Sequence, residues 1–326
     1  KIKIEEVAEK GNQTRGSLVS ELTERYYGLV LALQVVEVRR QVLEGMQHHL
    51  SDAKALEANG IIAKGERLYA EVHTAEAERE LLKAQKTVET LYSALSNTLG
   101  GDESTYIPAT SMFILNDIES VSYFKDLAKQ HSPLLKQVGY KKQLATENMR
   151  LQRADFAPQV ALTGMAAFYN YQVSPIIPKW AVGAGVSLKI FDGLNREYKF
   201  SAAKSQIRQV EAVGHQAESD ILTLIDKLYN EMVTYSQQLP SVNASGRFAE
   251  EYLRIKEEAF KEGAAPSSDV VDARLNLAKI RIERLQAAYY YDMMLARLLE
   301  ACGQSELFPD YGKRAAAMPI RYEHDF

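Results

Sequence analysis

The chain has 326 residues, of which 46% are hydrophobic and 25% charged, a composition typical of a folded protein with one large or two modest domains. Its 39 basic and 43 acidic side chains give a net charge of -4, which argues against a nucleic-acid partner. The single cysteine, Cys302, excludes an internal disulfide framework and any multi-cysteine zinc site.

Residues 1–100 predict two long helices. A seven-residue spacing of apolar side chains runs from Leu22 to Leu50, and a series with alternating steps of four and three runs from Ala77 to Leu95. Both are spacings of a coiled-coil seam. Gly60 lies between the two series, so we expect a helix, a tight turn and a returning helix that packs antiparallel on the first.

Residues 101–155 form a connecting segment, in which Ser132 and Pro133 have the form of an N-cap followed by proline at the first helical position. Residues 156–193 carry the strongest strand signal. Two strands, Gln159–Tyr171 and Trp180–Asp192, are expected to form a hairpin, because prolines and Asp192–Gly193 bound them.

Alternate positions of the second strand are apolar, whereas the intervening positions are small or polar. The apolar set that would face lipid is Val182, Val186, Leu188 and Ile190. Aromatic residues cluster at one end of the hairpin like an interfacial girdle: Phe168, Tyr169, Tyr171 and Trp180. Each strand exceeds the roughly 9 to 11 residues that a tilted transmembrane strand needs. The alternative is an ordinary hairpin, half-buried in a soluble domain.

Residues 194–303 predict a second helical hairpin that repeats the first. An ungapped offset of 203 residues pairs Gly60 with Gly263, and about 17 of 100 positions match, which indicates a duplication. We expect a helix from about Asn195 to Glu262, kinked but not ended at Pro240, followed by a turn and a returning helix.

An enzyme finds little support in the sequence. The segment from Gly183 to Gly185 lies within a predicted strand and lacks the third glycine of a dinucleotide-binding turn. None of the six histidines has metalloprotease spacing. We therefore expect no catalytic residue, no cofactor and no metal site.

The order of these elements, with the segments Phe156–Leu162 and Trp180–Gly193, resembles the TolC-like outer-membrane efflux proteins. The turn segments Gly60–Glu66 and Gly263–Asp269 resemble the family's pattern of a glycine, five residues and an acid. The resemblance implies a mainly α-helical chain, with long antiparallel coiled-coil helices in two tandem repeats and a transmembrane β-hairpin. Residues 101–155 and the C-terminal tail, 304–326, would be equatorial.

The same resemblance implies a homotrimer in the outer membrane of a Gram-negative bacterium, forming one β-barrel that continues into a periplasmic helical tunnel. Its partners would be a periplasmic adaptor and an inner-membrane transporter. The implied function is the duct of a tripartite efflux or type I secretion system, which exports small molecules or proteins. A soluble periplasmic coiled-coil structural or adaptor protein is the rival, and an apolar outward face on the hairpin would argue against it.

Asp269 and Asp272 match the family's acidic residues at the periplasmic constriction. Alternatively, Ser267 or Ser268 caps the returning helix and the acids complement its dipole. The family's basic partner falls on Ala265, so its closing salt bridges are not expected here. Turn residues that would meet the adaptor are Gly60, Ile61, Ile62, Gly263, Ala264 and Ala265; these glycines also suit a simple tight connection. An exposed Ile61–Ile62 tip would call for a partner.

The repeat offset places the first copy's strand pair before Lys1. Three chains with one hairpin each would supply six strands, fewer than the eight or so of the smallest transmembrane barrels. We therefore expect a further strand pair and a signal sequence upstream of this chain.

Overall fold

A computed structural model describes residues 1–100, 108–166 and 180–322. It is mainly helical, as predicted. Its elements, in chain order, are α1 (Ile2–Ala58), α2 (Lys64–Leu99), β1 (Met112–Leu115), α3 (Val121–His131), α4 (Pro133–Ala154), β2 (Gln159–Ala166), β3 (Trp180–Ser187), α5 (Asn195–Lys261), α6 (Ser267–Ala301), a 3-10 turn (Ser305–Leu307), α7 (Phe308–Gly312) and β4 (Ala317–Ile320).

The chain divides into two compact units. The first consists of Lys1–Gly11 and Pro133–Asp220, and the second of Asn12–Ser132 and Ile221–Phe326. The helices α1 and α5 contribute residues to both units. Among the described residues, no helix combines the length and the apolar character that crossing a bilayer requires.

The two predicted helical turns have the same geometry. Gly60 and Gly263 adopt left-handed φ angles of 70° and 72°, which glycine adopts without strain. In each turn the residue after the glycine donates its backbone N–H to the carbonyl oxygen five residues earlier. Ile61 donates to Leu56 at 2.9 Å, and Ala264 donates to Ala259 at 2.8 Å. Both helices therefore end in the same C-terminal motif. This geometry supports the duplication, and α5 continues through Pro240 as predicted.

In the second unit the helices of each repeat run antiparallel. The Thr74 hydroxyl of α2 donates to the Met46 carbonyl of α1 at 3.2 Å, and the rings of Tyr235 on α5 and Tyr290 on α6 stack at 5.4 Å. Near the turns the four helices share one core: Ala53, Ala70, Ala249, Leu253, Phe260, Val270, Ala273 and Leu277. Small alanines at these positions allow close helix packing, so the two hairpins are joined into one bundle there.

A small sheet, whose first strand is fully buried, completes the second unit. The antiparallel strands β1 and β4 pair from Met112 opposite Ile320 to Leu115 opposite Ala317. Asp292 of α6 is fully buried beside β1, where its Oδ2 accepts a hydrogen bond from the Phe113 N–H at 3.2 Å. Burial raises the pKa of Asp292 well above its usual value, although this hydrogen bond opposes the shift.

In the first unit, α4 packs antiparallel on the first part of α5. Lys142 and Glu211 form an ion pair at 3.0 Å, and the Asn148 side chain donates to Gln206 at 3.3 Å. The helix α4 begins at Pro133, directly after Ser132, as predicted. The strands β2 and β3 connect these two helices along the chain.

Candidate functional sites at the paired strands and the helix turns

The strands β2 and β3 of the first unit pair antiparallel, with Gln159 opposite Ser187 and Ala166 opposite Trp180. Residues directly opposite each other in such a pair lie on the same face. The register gives one apolar face, made of Val160, Leu162, Gly164, Ala166, Trp180, Val182, Ala184 and Val186. Apart from Met165, the other face is small or polar: Gln159, Ala161, Thr163, Ala181, Gly183, Gly185 and Ser187.

The apolar face of this sheet is largely exposed. Four aliphatic side chains, Val160, Leu162, Val182 and Val186, are between 71% and 80% exposed. An isolated two-stranded sheet is marginally stable in water, and an exposed apolar surface marks contact with a membrane or another protein. Val160 and Leu162 were not among the predicted lipid-facing residues. In β2 these two apolar residues alternate with Gln159, Ala161 and Thr163, and this alternation could have identified them as lipid-facing.

The second strand is shorter than predicted. It ends at Ser187, so Leu188 and Ile190 lie beyond it, although both are exposed. The reason lies in the register: the residue opposite Leu188 would be Pro158, which has no N–H to extend the ladder. Of the predicted aromatic girdle, Trp180 opens β3 and is exposed. Phe168, Tyr169 and Tyr171 lie outside the described residues.

A tight connection leads from the sheet to α5, as the Asp192–Gly193 pair predicts. Gly193 and Leu194 both adopt left-handed φ angles, 70° and 66°, and the second is costly for a branched side chain. Asp192 pairs with Arg196 at 3.1 Å, and the Arg196 guanidinium lies 5.2 Å from the Phe156 ring centroid. These contacts fix the first turn of α5 next to the segment that precedes β2.

The two helical turns of the second unit contact each other. The Ile61 side chain is 54% exposed, and its Cγ2 lies 3.0 Å from the position a β-carbon on Gly263 would take. Gly60 and Ala264 are exposed, whereas Ala265 is half-buried. Ile62 is half-buried against the four-helix core. The expected exposed Ile61–Ile62 tip is therefore reduced to Ile61, because Ile62 turns inward to the bundle.

The predicted serine cap of the returning helix is wrong. The helix α6 begins at Ser267 itself and Pro266 occupies the cap position, so both Ser267 and Ser268 are helical. Ser267 is fully buried, and its Oγ lies 2.6 Å from Nε2 of His49. Its N–H donates to Oε2 of Glu66 at 2.6 Å. A carboxylate of α2 therefore satisfies the free N–H at the start of α6.

Asp269 and Asp272 have different surroundings, although their spacing of three places them on one face of α6. Asp269 is half-buried, and its Oδ2 lies 2.6 Å from Nζ of Lys256. This hydrogen bond is the main reason that the pKa of Lys256 is raised. Asp272 is exposed. Burial and then the charge of Asp272 raise the pKa of Tyr69 on α2. The carboxylate of Asp269 is thus paired within its own chain, and Asp272 presents its charge to solvent.

Residues 125–304, more than half of the chain, match a protein family described as Outer membrane efflux protein (OEP). No curated protein sequence matches the chain. Among solved structures, the outer membrane protein VceC from Vibrio cholerae aligns with a TM-score of 0.79 at 18% identity, covering 93% of this chain and 74% of that one.

Two further structures are similar. A membrane protein from Pseudomonas aeruginosa aligns with a TM-score of 0.78 at 18% identity, covering 90% of this chain and 67% of that one. The CmeC outer membrane channel of Campylobacter jejuni aligns with a TM-score of 0.73 at 17% identity, covering 93% and 66%. At these identities the likeness shows the fold, and the chain spans about two thirds to three quarters of the length of these proteins.

Proposed function

Because the chain belongs to the outer membrane efflux protein family, we propose that it forms the outer-membrane duct of a tripartite efflux or type I secretion system. Three copies assemble as a homotrimer in the outer membrane of a Gram-negative bacterium, with the long helices forming a periplasmic tunnel. A periplasmic adaptor and an inner-membrane transporter deliver small molecules or proteins to it. The family consists of efflux proteins and not of enzymes, so we assign no catalytic residue to this chain.

The observation that carries the membrane placement is the two-faced sheet. Its aliphatic side chains are exposed, and its opposite face carries Gln159, Thr163, Ser187 and two glycines. A barrel strand in a bilayer needs this division, with apolar side chains towards lipid and small or polar side chains towards the lumen. A soluble coiled-coil protein would use the helices equally well, but it would have to cover the apolar face of the sheet with another surface.

At the turns of the second unit we propose two further roles. The first is contact with the adaptor through Gly60, Ile61, Ile62, Gly263, Ala264 and Ala265. Ile61 is the apolar side chain that such a partner would cover, since Ile62 already packs on the core. The second is the periplasmic constriction, formed by Asp272 with Asp269 beside it.

The membrane placement is tested by placing one arginine on either face of β3. Val186 and Ser187 are neighbours in sequence and point to opposite faces. An arginine on the lipid face costs about 2 to 4 kcal/mol near the bilayer midplane, whereas one on the lumen face is tolerated. Val186→Arg should therefore deplete the assembled protein from outer-membrane fractions, and Ser187→Arg should not.

The β2 strand supplies a second matched pair, Val160→Arg and Thr163→Arg, with the same expected contrast. Assembly is measured as the amount of oligomer recovered from outer-membrane fractions. Equal tolerance on both faces would contradict the membrane placement and favour a hairpin of a soluble domain.

A further inference from the structure

A buried histidine joins the two helical hairpins of the second unit next to their turns. His49 of α1 is 5% exposed, and its Nε2 lies 2.6 Å from the Ser267 hydroxyl at the start of α6. The Ser267 N–H is bound at the same time by the Glu66 carboxylate of α2. The first residue of α6 is thus bound by both helices of the first repeat.

The surroundings of His49 favour an uncharged imidazole. Its ring packs against Phe260 of α5, with 4.4 Å between ring centroids. Burial, and then the charge of Arg274 on α6, lower the pKa of His49 to about 4, although Asp52 on α1 opposes this shift. An imidazolium here would lose hydration and would lie close to a fixed guanidinium.

Three of the carboxylates around the ring already have partners of their own, and the fourth, Glu44, is exposed to solvent. His49 lines a cleft of about 510 Å³ between α1, α5 and α6, whose charged and titratable walls are Glu44, His48, Asp52, Glu257, Lys261, Arg274 and Arg281. Glu257 pairs with Arg274, and Asp52 lies 3.8 Å from Lys261. The Glu66 carboxylate is engaged by the Ser267 N–H. A protonated His49 would therefore compete with Lys261, Arg274 and the Ser267 N–H for a carboxylate that could balance its charge.

Arg274 is held near the ring by close packing. A β-carbon at Gly45, one helical turn before His49, would overlap the Arg274 guanidinium. The guanidinium therefore lies directly against the backbone of α1, in a place that only glycine leaves open. This packing keeps a positive charge close to the imidazole.

We propose that His49, Ser267 and Glu66 form an acid-sensitive latch, which holds the start of α6 on the first hairpin at neutral pH and releases it when His49 is protonated. The sign follows from linkage. A histidine whose pKa is lower in the closed state than the ordinary value of about 6.5 stabilises that state fully above pH 6.5. The stabilisation is lost as the pH falls towards 4. This latch needs only the helical hairpins and is independent of the proposed transport function.

The experiment is amide hydrogen exchange of the full chain in detergent, comparing wild type with His49→Gln at pH 7 and pH 5. Glutamine retains a hydrogen-bonding group for Ser267 and does not titrate. At pH 7 the two proteins should exchange residues 267–271 at similar rates. At pH 5 the wild type should exchange them at least about tenfold faster than the variant, a factor that corresponds to one pKa unit of linkage.

Comparing the two proteins at the same pH cancels the intrinsic pH dependence of exchange. His73→Gln is the matched control, because His73 lies in the first hairpin as a half-buried side chain paired with Glu76; it should behave like wild type. Equal acid responses of wild type and His49→Gln would overturn the proposal. Ring-nitrogen NMR of wild type requires no variant, and titration of His49 near pH 6.5 would overturn it as well.

Discussion

The carboxylate of Glu66 lies 2.6 Å from the backbone nitrogen of Ser267, so an acid of the first repeat binds the first helical residue of the second repeat's returning helix. The residue equivalent to Glu66 in the second repeat is Asp269, 203 positions later. Asp269 pairs with Lys256 on its own hairpin instead. The duplicated turns thus keep the same backbone geometry while their acids have diverged, one joining the hairpins and the other pairing within one of them.

Glu66→Ala should lower the free energy of unfolding by about 1 to 2 kcal/mol. It removes a charge-assisted hydrogen bond and an anion at a helix N-terminus, and it leaves a buried N–H without that partner. Glu66→Gln keeps an acceptor and should cost less. The control is Glu78→Ala, the same change at an exposed site of α2. Chemical denaturation measures the difference, and an equal loss for Glu66→Ala and Glu78→Ala would contradict this role.

The two turn glycines should respond differently to alanine. Both have left-handed φ angles, so each substitution should cost about 1 kcal/mol of stability for the strained backbone. A β-carbon at Gly60 meets nothing within 4 Å, whereas one at Gly263 meets Ile61 Cγ2 at 3.0 Å. Gly263→Ala should therefore destabilise more than Gly60→Ala.

The excess cost of Gly263→Ala should disappear in an Ile61→Ala background. A double-mutant cycle by denaturant unfolding measures this coupling. If Gly60→Ala and Gly263→Ala lower the free energy of unfolding equally, the contact between the turns does not contribute to stability.

The repeat shows what could be predicted from the sequence. Gly60 and Gly263 mark the turns because few residues other than glycine adopt left-handed angles readily, and the offset carries α5 past Pro240 without a break. The end of β3 could not be predicted from its own alternation, since it depends on Pro158 in the facing register. The serine at the start of α6 was misassigned for a similar reason: its partners, His49 and Glu66, are about 200 residues away in sequence, and local capping rules do not include them.

Buried Asp292 should make stability depend on pH. Burial raises its pKa in the folded state above that of an exposed aspartate, about 4, so the folded chain binds this proton more tightly than the unfolded chain. The stabilisation is complete below pH 4 and is lost as the pH rises through the raised value. It amounts to about 1.4 kcal/mol for each unit of the shift.

In Asp292→Asn this pH dependence should be absent, because the amide can still accept the Phe113 N–H and does not titrate. Urea unfolding of wild type and variant at pH 5 and pH 8 measures it as the difference between the two proteins. Asp310→Asn, at an exposed site of α7, is the control. A difference that stays constant between the two pH values would contradict a raised pKa for Asp292.

In the proposed constriction Asp272 presents an exposed negative charge, whereas the charge of Asp269 is balanced by Lys256. Threefold assembly would bring three copies of the exposed Asp272 together, and such a carboxylate ring attracts cations. Asp272→Asn should therefore shift the cation-to-anion permeability ratio of the assembled channel towards 1 and weaken its block by divalent cations.

The charge-neutral control is the double variant Lys256→Gln, Asp269→Asn. It removes a pair of opposite charges, so it should leave the permeability ratio close to that of wild type. Asp269→Asn alone leaves Lys256 uncompensated and should act like the loss of Asp272. Planar-bilayer recordings at about 0.1 M salt, where the screening length is about 10 Å, measure all three. If selectivity and block are unchanged in Asp272→Asn, this residue does not contribute to a constriction of the pore.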